Sequence, residues 1–208
     1  MLPALPAPRP EEVELKLALA QSESDAQAVA RRLARLPLLA RRPVQRLHLR
    51  NLYYDTPDQR LRQARAALRI RQVGGDAPVQ WLQTLKMAGT GGDSALTHRG
   101  EWEAAVPGPA LSQVLLQDTP WATLDPDGSV FFSLVPQFET DFERTLWTVR
   151  RRDGSVVEVA LDIGRIIAGD RQASLCELEL ELKAGPSAVL FDLARQIGAV
   201  VAVLPTAA

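Results

Sequence analysis

The chain has 208 residues, of which 46% are hydrophobic and 24% are charged, a composition typical of a globular protein with a sizeable core. Its formal net charge of -1 gives no overall attraction to nucleic acid or an anionic membrane, so an anion site must depend on the local arrangement of its 24 basic residues. The single cysteine excludes an intrachain disulfide framework and a thiolate zinc cluster. No run of residues is long and apolar enough to span a membrane, and we expect a cytoplasmic protein.

The chain is predicted to have three parts. Residues 1–10 are rich in proline and predict a flexible arm. Residues 11–200 contain no internal repeat and no low-complexity segment, so we expect one domain there. Residues 201–208 are predicted to form a C-terminal tail.

Four helices are predicted from capping and spacing signals. Ser22, followed by apolar residues at helical spacing, predicts a helix over residues 22–36. Thr56-Pro57 predicts the start of a short second helix, with the threonine as its N-cap and the proline at its first position. Further helices are expected over residues 109–117 and 187–196.

Elsewhere, charged and apolar side chains alternate with the period of a strand. The clearest examples run from Glu12 to Lys16 and from Glu177 to Lys183, within a last strand expected over residues 175–183. Gly74-Gly75-Asp76 predicts a turn, residues 89–94 a flexible loop, and Asp153-Gly154 a hairpin. The other strands are predicted over residues 68–71, 79–86, 99–106, 138–150 and 156–163.

Each of these strands has one charged face and one apolar face, because successive side chains point to opposite sides. We expect helices to cover the apolar faces and the charged faces to look at one another. The charged set is Glu12, Glu14, Lys16, Arg69, Arg71, Lys86, Arg99, Glu101, Glu103, Arg144, Glu158, Asp162, Glu177, Glu179, Glu181 and Lys183.

A sheet with one solvated face produces such alternation by itself, and this is the simplest interpretation of any single strand. The three successive carboxylates of the last strand weaken it, because like charges on one strand face need counter-ions. Arginine and lysine suit phosphate oxygens, whereas the carboxylates would repel phosphate. A hard divalent cation such as Mg²⁺ or Mn²⁺ removes this conflict, so the pattern favours a site for a metal-bound polyphosphate.

Several motifs occur in a fixed order from about residue 11 to the last helix. They are Glu12-x-Glu14-x-Lys16, Tyr54-Asp55-Thr56-Pro57-Asp58, Leu68-Arg69-Ile70-Arg71, Arg99-x-Glu101-x-Glu103, Leu161-Asp162-x-Gly164 and the run from Cys176 to Leu182. In order, spacing and residue type the chain resembles the CYTH family of triphosphate tunnel metalloenzymes. It looks most like the bacterial inorganic triphosphatases, whose Cys-Glu-Leu-Glu-Leu-Glu-Leu strand is matched at Cys176 to Leu182.

The resemblance implies an α+β fold dominated by strands: a closed eight-stranded antiparallel β-barrel that encloses a triphosphate tunnel and is flanked by helices. It also implies metal-dependent hydrolysis of inorganic triphosphate to diphosphate and phosphate, with Mg²⁺ or Mn²⁺ as the cofactor. The catalytic residues would be Glu12, Glu14 and Lys16. Triphosphate would be bound by Lys16, Arg69, Arg71, Lys86, Arg99, Arg144 and Lys183. The metal would be held by Glu12, Glu14, Glu101, Glu103, Asp162, Glu177, Glu179 and Glu181.

Other functions remain open at this point. The same scaffold could support a class IV-type adenylate cyclase or a thiamine triphosphatase, and the basic residues alone could form a polyphosphate-binding module without catalysis. The many carboxylates argue against the binding module, because an acidic lining does not help a polyanion receptor. We expect inorganic triphosphate or another polyphosphate as the substrate, no nucleic acid or membrane partner, and a monomer or homodimer.

Overall fold

The structure is a computed structural model that describes residues 11–19, 25–75, 78–88 and 96–206. Its strands are β1 (Glu11–Leu19), β2 (Val44–Asp55), β3 (Ala66–Gly74), β4 (Gln80–Ala88), β5 (Leu96–Val106), β6 (Val135–Arg150), β7 (Val156–Ala168), β8 (Arg171–Ala184) and β9 (Val203–Pro205). Its helices are α1 (Ala26–Arg35), α2 (Arg60–Gln63), α3 (Trp121–Leu124), α4 (Ser129–Phe132) and α5 (Ala188–Gly198), with a 3₁₀ turn at Val114–Leu116.

The first eight strands form a closed barrel. Their order around it is β1-β5-β4-β3-β2-β6-β7-β8, and β8 pairs with β1 to complete the circle. All of these pairs are antiparallel, so the predicted closed eight-stranded antiparallel barrel is confirmed. The short strand β9, which lies in the predicted C-terminal tail, pairs with the end of β1.

The main hydrophobic core lies outside the barrel. Leu15, Leu161 and Leu178 are fully buried on the outer faces of β1, β7 and β8. Helices α1 and α5 cover these faces with apolar side chains that include Leu33 and Leu193. Burying a leucine side chain of this kind contributes about 1.5–3 kcal/mol, so this outer layer stabilises the barrel and leaves its interior to other residues.

A second outer cluster covers β3 and β4. Leu68 and Leu85 pack there against Leu116, Trp121 and Val130 from the segment that joins β5 to β6. The side-chain amide of Gln83 fixes this segment, because its oxygen accepts from the Ser112 amide at 2.7 Å and its nitrogen donates to the Ser112 carbonyl at 3.0 Å.

Several local features differ from the predictions. Strand β2 and the short helices α3 and α4 were not predicted. The helix expected over residues 109–117 is only the 3₁₀ turn at Val114–Leu116, and the backbone of Ser112, inside the expected helix, binds the Gln83 side chain instead of other helix residues. Helix α2 begins at Arg60 rather than at Pro57, and the Asp55 carboxylate accepts from the amides of Leu61 and Arg62 at 2.9 and 3.1 Å.

The predicted hairpin at Asp153-Gly154 is present, with Gly154 in the left-handed region at φ 86°. The predicted arm at 1–10 and loop at 89–94 lie outside the described residues. None of the helices that the structure describes is long and apolar enough to cross a membrane.

Gly164 on β7 marks a close approach between strands. A Cβ atom there would approach the Asp141 carbonyl oxygen and lie 2.5 Å from the Cα of Phe142, far inside van der Waals contact. We therefore predict that Gly164→Ala lowers the free energy of unfolding by about 2–3 kcal/mol in urea titrations, since the backbone must shift to make room. Gly108→Ala is the control, because a Cβ there meets nothing within 4 Å. Equal stability of the two variants would contradict this close packing.

The charged tunnel as a candidate active site

The barrel interior contains a cavity of about 1010 Å³. Side chains from all eight barrel strands line it, and the sixteen residues of the predicted charged set are all among them. The structure therefore brings together every residue that the sequence proposed for the site: Glu12, Glu14, Lys16, Arg69, Arg71, Lys86, Arg99, Glu101, Glu103, Arg144, Asp162, Glu177, Glu179, Glu181 and Lys183. Their roles remain predictions.

Among the charged residues that the structure describes, one half of the tunnel wall is purely basic, and in the other half carboxylates outnumber the basic residues Lys16, Arg99 and Lys183. The lining glutamates and Asp162 come from β5, β1, β8 and β7, which are consecutive strands of the barrel. Within the described residues, the opposite strands β4, β3, β2 and β6 contribute Lys86, Arg69, Arg71 and Arg144 to the lining but no carboxylate. The wall can therefore attract a cation on one side and an anion on the other.

Two lysines bridge the acidic strands. The Lys16 Nζ lies 2.6 Å from a Glu177 carboxylate oxygen and 3.5 Å from one of Glu179. The Lys86 Nζ lies 2.5 Å from a Glu12 oxygen and 3.5 Å from one of Glu101. Both lysines are thus neutralised by protein carboxylates that a divalent cation could also use.

Arg144 makes the most extensive ion pair in the tunnel. Its guanidinium binds both Asp162 oxygens at 2.7 and 2.6 Å and a Glu179 oxygen at 2.8 Å. Burial alone would raise the pKa of Glu179, but the positive charges of Arg144, Lys16, Lys86 and Arg71 outweigh it and lower the pKa to about 2. Glu179 is therefore ionised at neutral pH and links the acidic half to the basic half.

Glu14 is a buried carboxylate of β1, with 6% of its surface exposed. It accepts a hydrogen bond from the Thr97 hydroxyl at 3.3 Å and lies 3.9 Å from a guanidinium nitrogen of Arg99. Burial raises its pKa, and the negative charges of Glu179 and Glu12 raise it further. Glu14 is thus held where its negative charge is only partly compensated.

The two arginines of β3 have neutral partners on β2. Arg69 donates to the Tyr53 hydroxyl at 3.3 Å and lies 3.5 Å from a Glu101 oxygen, while its buried Nε has no hydrogen-bond partner among the described residues. Arg71 donates from Nε to Asn51 Oδ1 at 2.7 Å. Burial and the nearby charges of Arg69 and Arg144 lower the pKa of Arg71 to about 10, so it stays charged at neutral pH.

The remaining charged residues lie nearer to solvent. Lys183 lies 2.5 Å from a Glu181 oxygen and 3.2 Å from one of Glu158, and its side chain is 40% exposed. Exposed Glu103 accepts from the Thr84 hydroxyl at 2.9 Å. Surface-exposed pairs of this kind contribute about 0–1 kcal/mol, so they are weaker constraints on the site than the buried pairs of Arg144.

The sequence prediction missed the neutral polar residues of the tunnel. Asn51 and Tyr53 of β2, Thr84 of β4 and Thr140 of β6 all line the cavity. Residues 46–53 do alternate, but their charged members, such as Arg50, point outward, so a search for charged inner faces could not find this strand.

The donor set of the tunnel suits a hard divalent cation. Carboxylate oxygen is the ligand that Mg²⁺ and Mn²⁺ prefer, and Glu12, Glu14 and Glu179 lie close enough for two of them to raise the pKa of the third. In the part of the chain that the structure describes, no three such groups already form a ligand cluster. Glu12 and Glu179 instead bind lysine, which a metal ion would have to replace.

A closed antiparallel barrel with opposed acidic and basic inner walls defines a class of protein that can enclose a polyanion together with a cation. Comparison with protein families identifies which one: the CYTH domain family matches residues 10–203, and the chain belongs to it. The predicted family is therefore confirmed, and its membership implies a divalent metal ion.

Among curated proteins, the chain is similar to the inorganic triphosphatase of Haemophilus influenzae, with 38% identity over 149 residues. The match covers 71% of this chain and 40% of the length of that protein, so the chain spans less than half of this relative.

Solved structures show the same fold at low identity. HpAC1 from Hippeastrum, named for adenylyl cyclase and described as having a dominant triphosphatase activity, matches with a TM-score of 0.58 and 18% identity over 95% of this chain and 90% of that one. The PH1819 protein of Pyrococcus horikoshii matches with a TM-score of 0.55 and 16% identity over 93% of each chain. The RNA triphosphatase domain of the mimivirus mRNA capping enzyme matches with a TM-score of 0.51 and 9% identity, over 92% of this chain and 90% of that one.

The raised pKa of Glu14 predicts a specific pH dependence of stability. A carboxyl group whose pKa in the folded protein exceeds its ordinary value of 4.5 stabilises the fold fully below that pH, and this stability is lost as the pH rises through the raised pKa. Glutamine in place of Glu14 cannot ionise, so Glu14→Gln avoids this loss of stability. The variant should unfold at higher urea concentration than the wild type at about pH 7.5 and at a similar concentration at about pH 4.

The control is Glu143→Gln, which changes an exposed glutamate of β6 outside the tunnel lining by the same charge. It should shift the unfolding midpoint little at either pH. A Glu14→Gln variant that is less stable than the wild type at about pH 7.5 would show that Glu14 contributes to folding as a charged group.

Proposed function

We propose that this chain hydrolyses inorganic triphosphate to diphosphate and phosphate inside the tunnel, with Mg²⁺ or Mn²⁺ as cofactor. The division of the tunnel into an acidic and a basic half supports this function most directly, because a metal-bound triphosphate carries charges of both signs. This function agrees with the activity for which the Haemophilus influenzae relative is named, inorganic triphosphatase.

Substrate binding would depend on the basic half together with the basic residues of the acidic half. Arg69, Arg71 and Arg144 present guanidinium groups that suit phosphate oxygens, and Lys16 and Lys86 supply compact positive charges. These cations would also stabilise the charge that develops on the departing diphosphate. Arg99 and Lys183 would extend the anion site along the wall.

Catalysis would depend on the acidic half. The metal would be held by carboxylates among Glu12, Glu14, Glu101, Glu103, Asp162, Glu177, Glu179 and Glu181. When bound, a divalent cation neutralises charge on the triphosphate and polarises water. Burial raises the pKa of Glu14 and makes its carboxylate a better proton acceptor, so we assign it to orient the attacking water and take its proton.

The experiment that tests this function is phosphate release from inorganic triphosphate, ATP and thiamine triphosphate, each with Mg²⁺, with Mn²⁺ and with EDTA. We expect rapid, metal-dependent release from inorganic triphosphate and much slower release from the others. Formation of cyclic AMP from ATP would instead identify a cyclase, and preference for thiamine triphosphate a thiamine triphosphatase. Triphosphate binding without turnover would leave a polyphosphate-binding module.

The catalytic assignment predicts that Lys16→Ala and Glu14→Ala each lower kcat by at least about 100-fold while the protein still folds. Inward charged residues serve a ligand more than the core, so circular dichroism spectra at the assay temperature should still show the wild-type fold. Arg46→Ala is the matched control, because it removes an exposed charge of β2 that is not part of the tunnel lining. Wild-type turnover in both tunnel variants would rule out these catalytic roles.

A further inference from the structure

Strand β2 places a neutral partner opposite each arginine of β3. In the register of these two strands, Asn51 lies opposite Arg71 and Tyr53 lies opposite Arg69. Each side chain on β2 accepts a hydrogen bond from the arginine that faces it. A neutral acceptor fixes a guanidinium group without cancelling its charge, whereas a carboxylate would do both.

Arg71 differs from the other basic residues of the tunnel. Within the described residues, each of the others has a carboxylate oxygen within 4 Å: Lys16, Arg69, Lys86, Arg99, Arg144 and Lys183. Arg71 has no such contact in this part of the chain, and its only hydrogen bond there is from Nε to Asn51. Its two terminal nitrogens are therefore available to the oxygens of a ligand.

Asn51 is itself held in place from the other side. It is 1% exposed, and its amide nitrogen donates to the Thr140 hydroxyl of β6 at 2.8 Å. This hydrogen bond turns the amide oxygen toward Arg71. The chain Thr140 to Asn51 to Arg71 thus crosses three adjacent strands and contains only one charged group.

We propose that Asn51 is a positioning residue that keeps Arg71 an uncompensated cation, so that triphosphate docks first on Arg71, without a metal ion and before any ion pair of the tunnel is broken. An anion that binds Lys16 or Arg144 meets the carboxylates already paired with that residue, so it is repelled by them or has to displace one at the cost of the pairing energy. An anion that binds Arg71 displaces none. It also relieves the repulsion that Arg71 experiences from Arg69 and Arg144. The inference rests on the proposed function, because triphosphate is taken as the ligand.

The test is calorimetric titration of inorganic triphosphate into the protein in EDTA. We expect the wild type to bind one triphosphate under these conditions. Asn51→Asp keeps the shape and the hydrogen bond to Arg71 but adds the missing carboxylate, so it should weaken metal-free binding by at least about 10-fold. If Asn51 had a purely structural role, an aspartate in its place would hold Arg71 as well or better. The affinity for triphosphate would then stay the same.

The control is Gln72→Glu, which adds the same charge on the neighbouring residue of β3 that is absent from the tunnel lining. It should keep the wild-type affinity. Thermal melting shows whether Asn51→Asp folds. Arg71→Gln tests the same anion site with a second variant, since it should lose metal-free triphosphate binding to a similar extent. Wild-type affinity in either Asn51→Asp or Arg71→Gln would overturn the inference.

Failure of this inference can be separated from failure of the proposed function. Absence of metal-free triphosphate binding by the wild type would also overturn the inference. Metal-dependent phosphate release by the same preparation would nevertheless keep the proposed hydrolysis, whereas metal-free binding without any turnover would support the Arg71 site and reject the hydrolysis.

Discussion

The need to compensate buried charge determines the arrangement of this protein. A closed barrel removes its inner side chains from bulk water, and an unpaired charge in such a place is costly. The structure meets this cost by pairing Lys16, Lys86 and Arg144 of the wall with carboxylates from adjacent or next-nearest strands. The resulting set of ion pairs is also a set of ligand sites, because each group in it suits phosphate or a divalent cation.

Putting charge inside the barrel forces the hydrophobic core to the outside. Leu15 alternates with Glu14 and Lys16 on β1, and Leu178 alternates with Glu177 and Glu179 on β8, so the same strands serve both layers. Helices α1 and α5 then have to cover the outer faces. Stability and ligand binding are thus assigned to opposite sides of each strand, and inner residues can change with little effect on the core.

Much of this could be predicted because β1, β5, β7 and β8 carry their charges on the inner face. On β2 and the first part of β6 the charged side chains lie on the outer face and apolar side chains lie on the inner face. Arg50 binds Glu139 there through two hydrogen bonds at 2.7 and 2.9 Å on the outer surface, while Leu49 and Phe142 are buried inside. A search for charged inner faces therefore predicts the acidic half and β3 but misses the strand that supplies Asn51 and Tyr53. Such neutral positioning residues leave no charge pattern in a sequence.

The lysine–carboxylate ion pairs of the tunnel couple the binding of a divalent cation to the binding of phosphate. Glu12 and Glu179 can turn to a divalent cation only if they release Lys86 and Lys16, and the released lysines are then free to bind phosphate. The reverse holds as well, since lysines that bind an anion leave their carboxylates without a counter-ion. By thermodynamic reciprocity, each ligand must then strengthen the binding of the other. Arg71 stands outside this exchange because its partner is an amide, so an anion can bind it while every other pair stays closed.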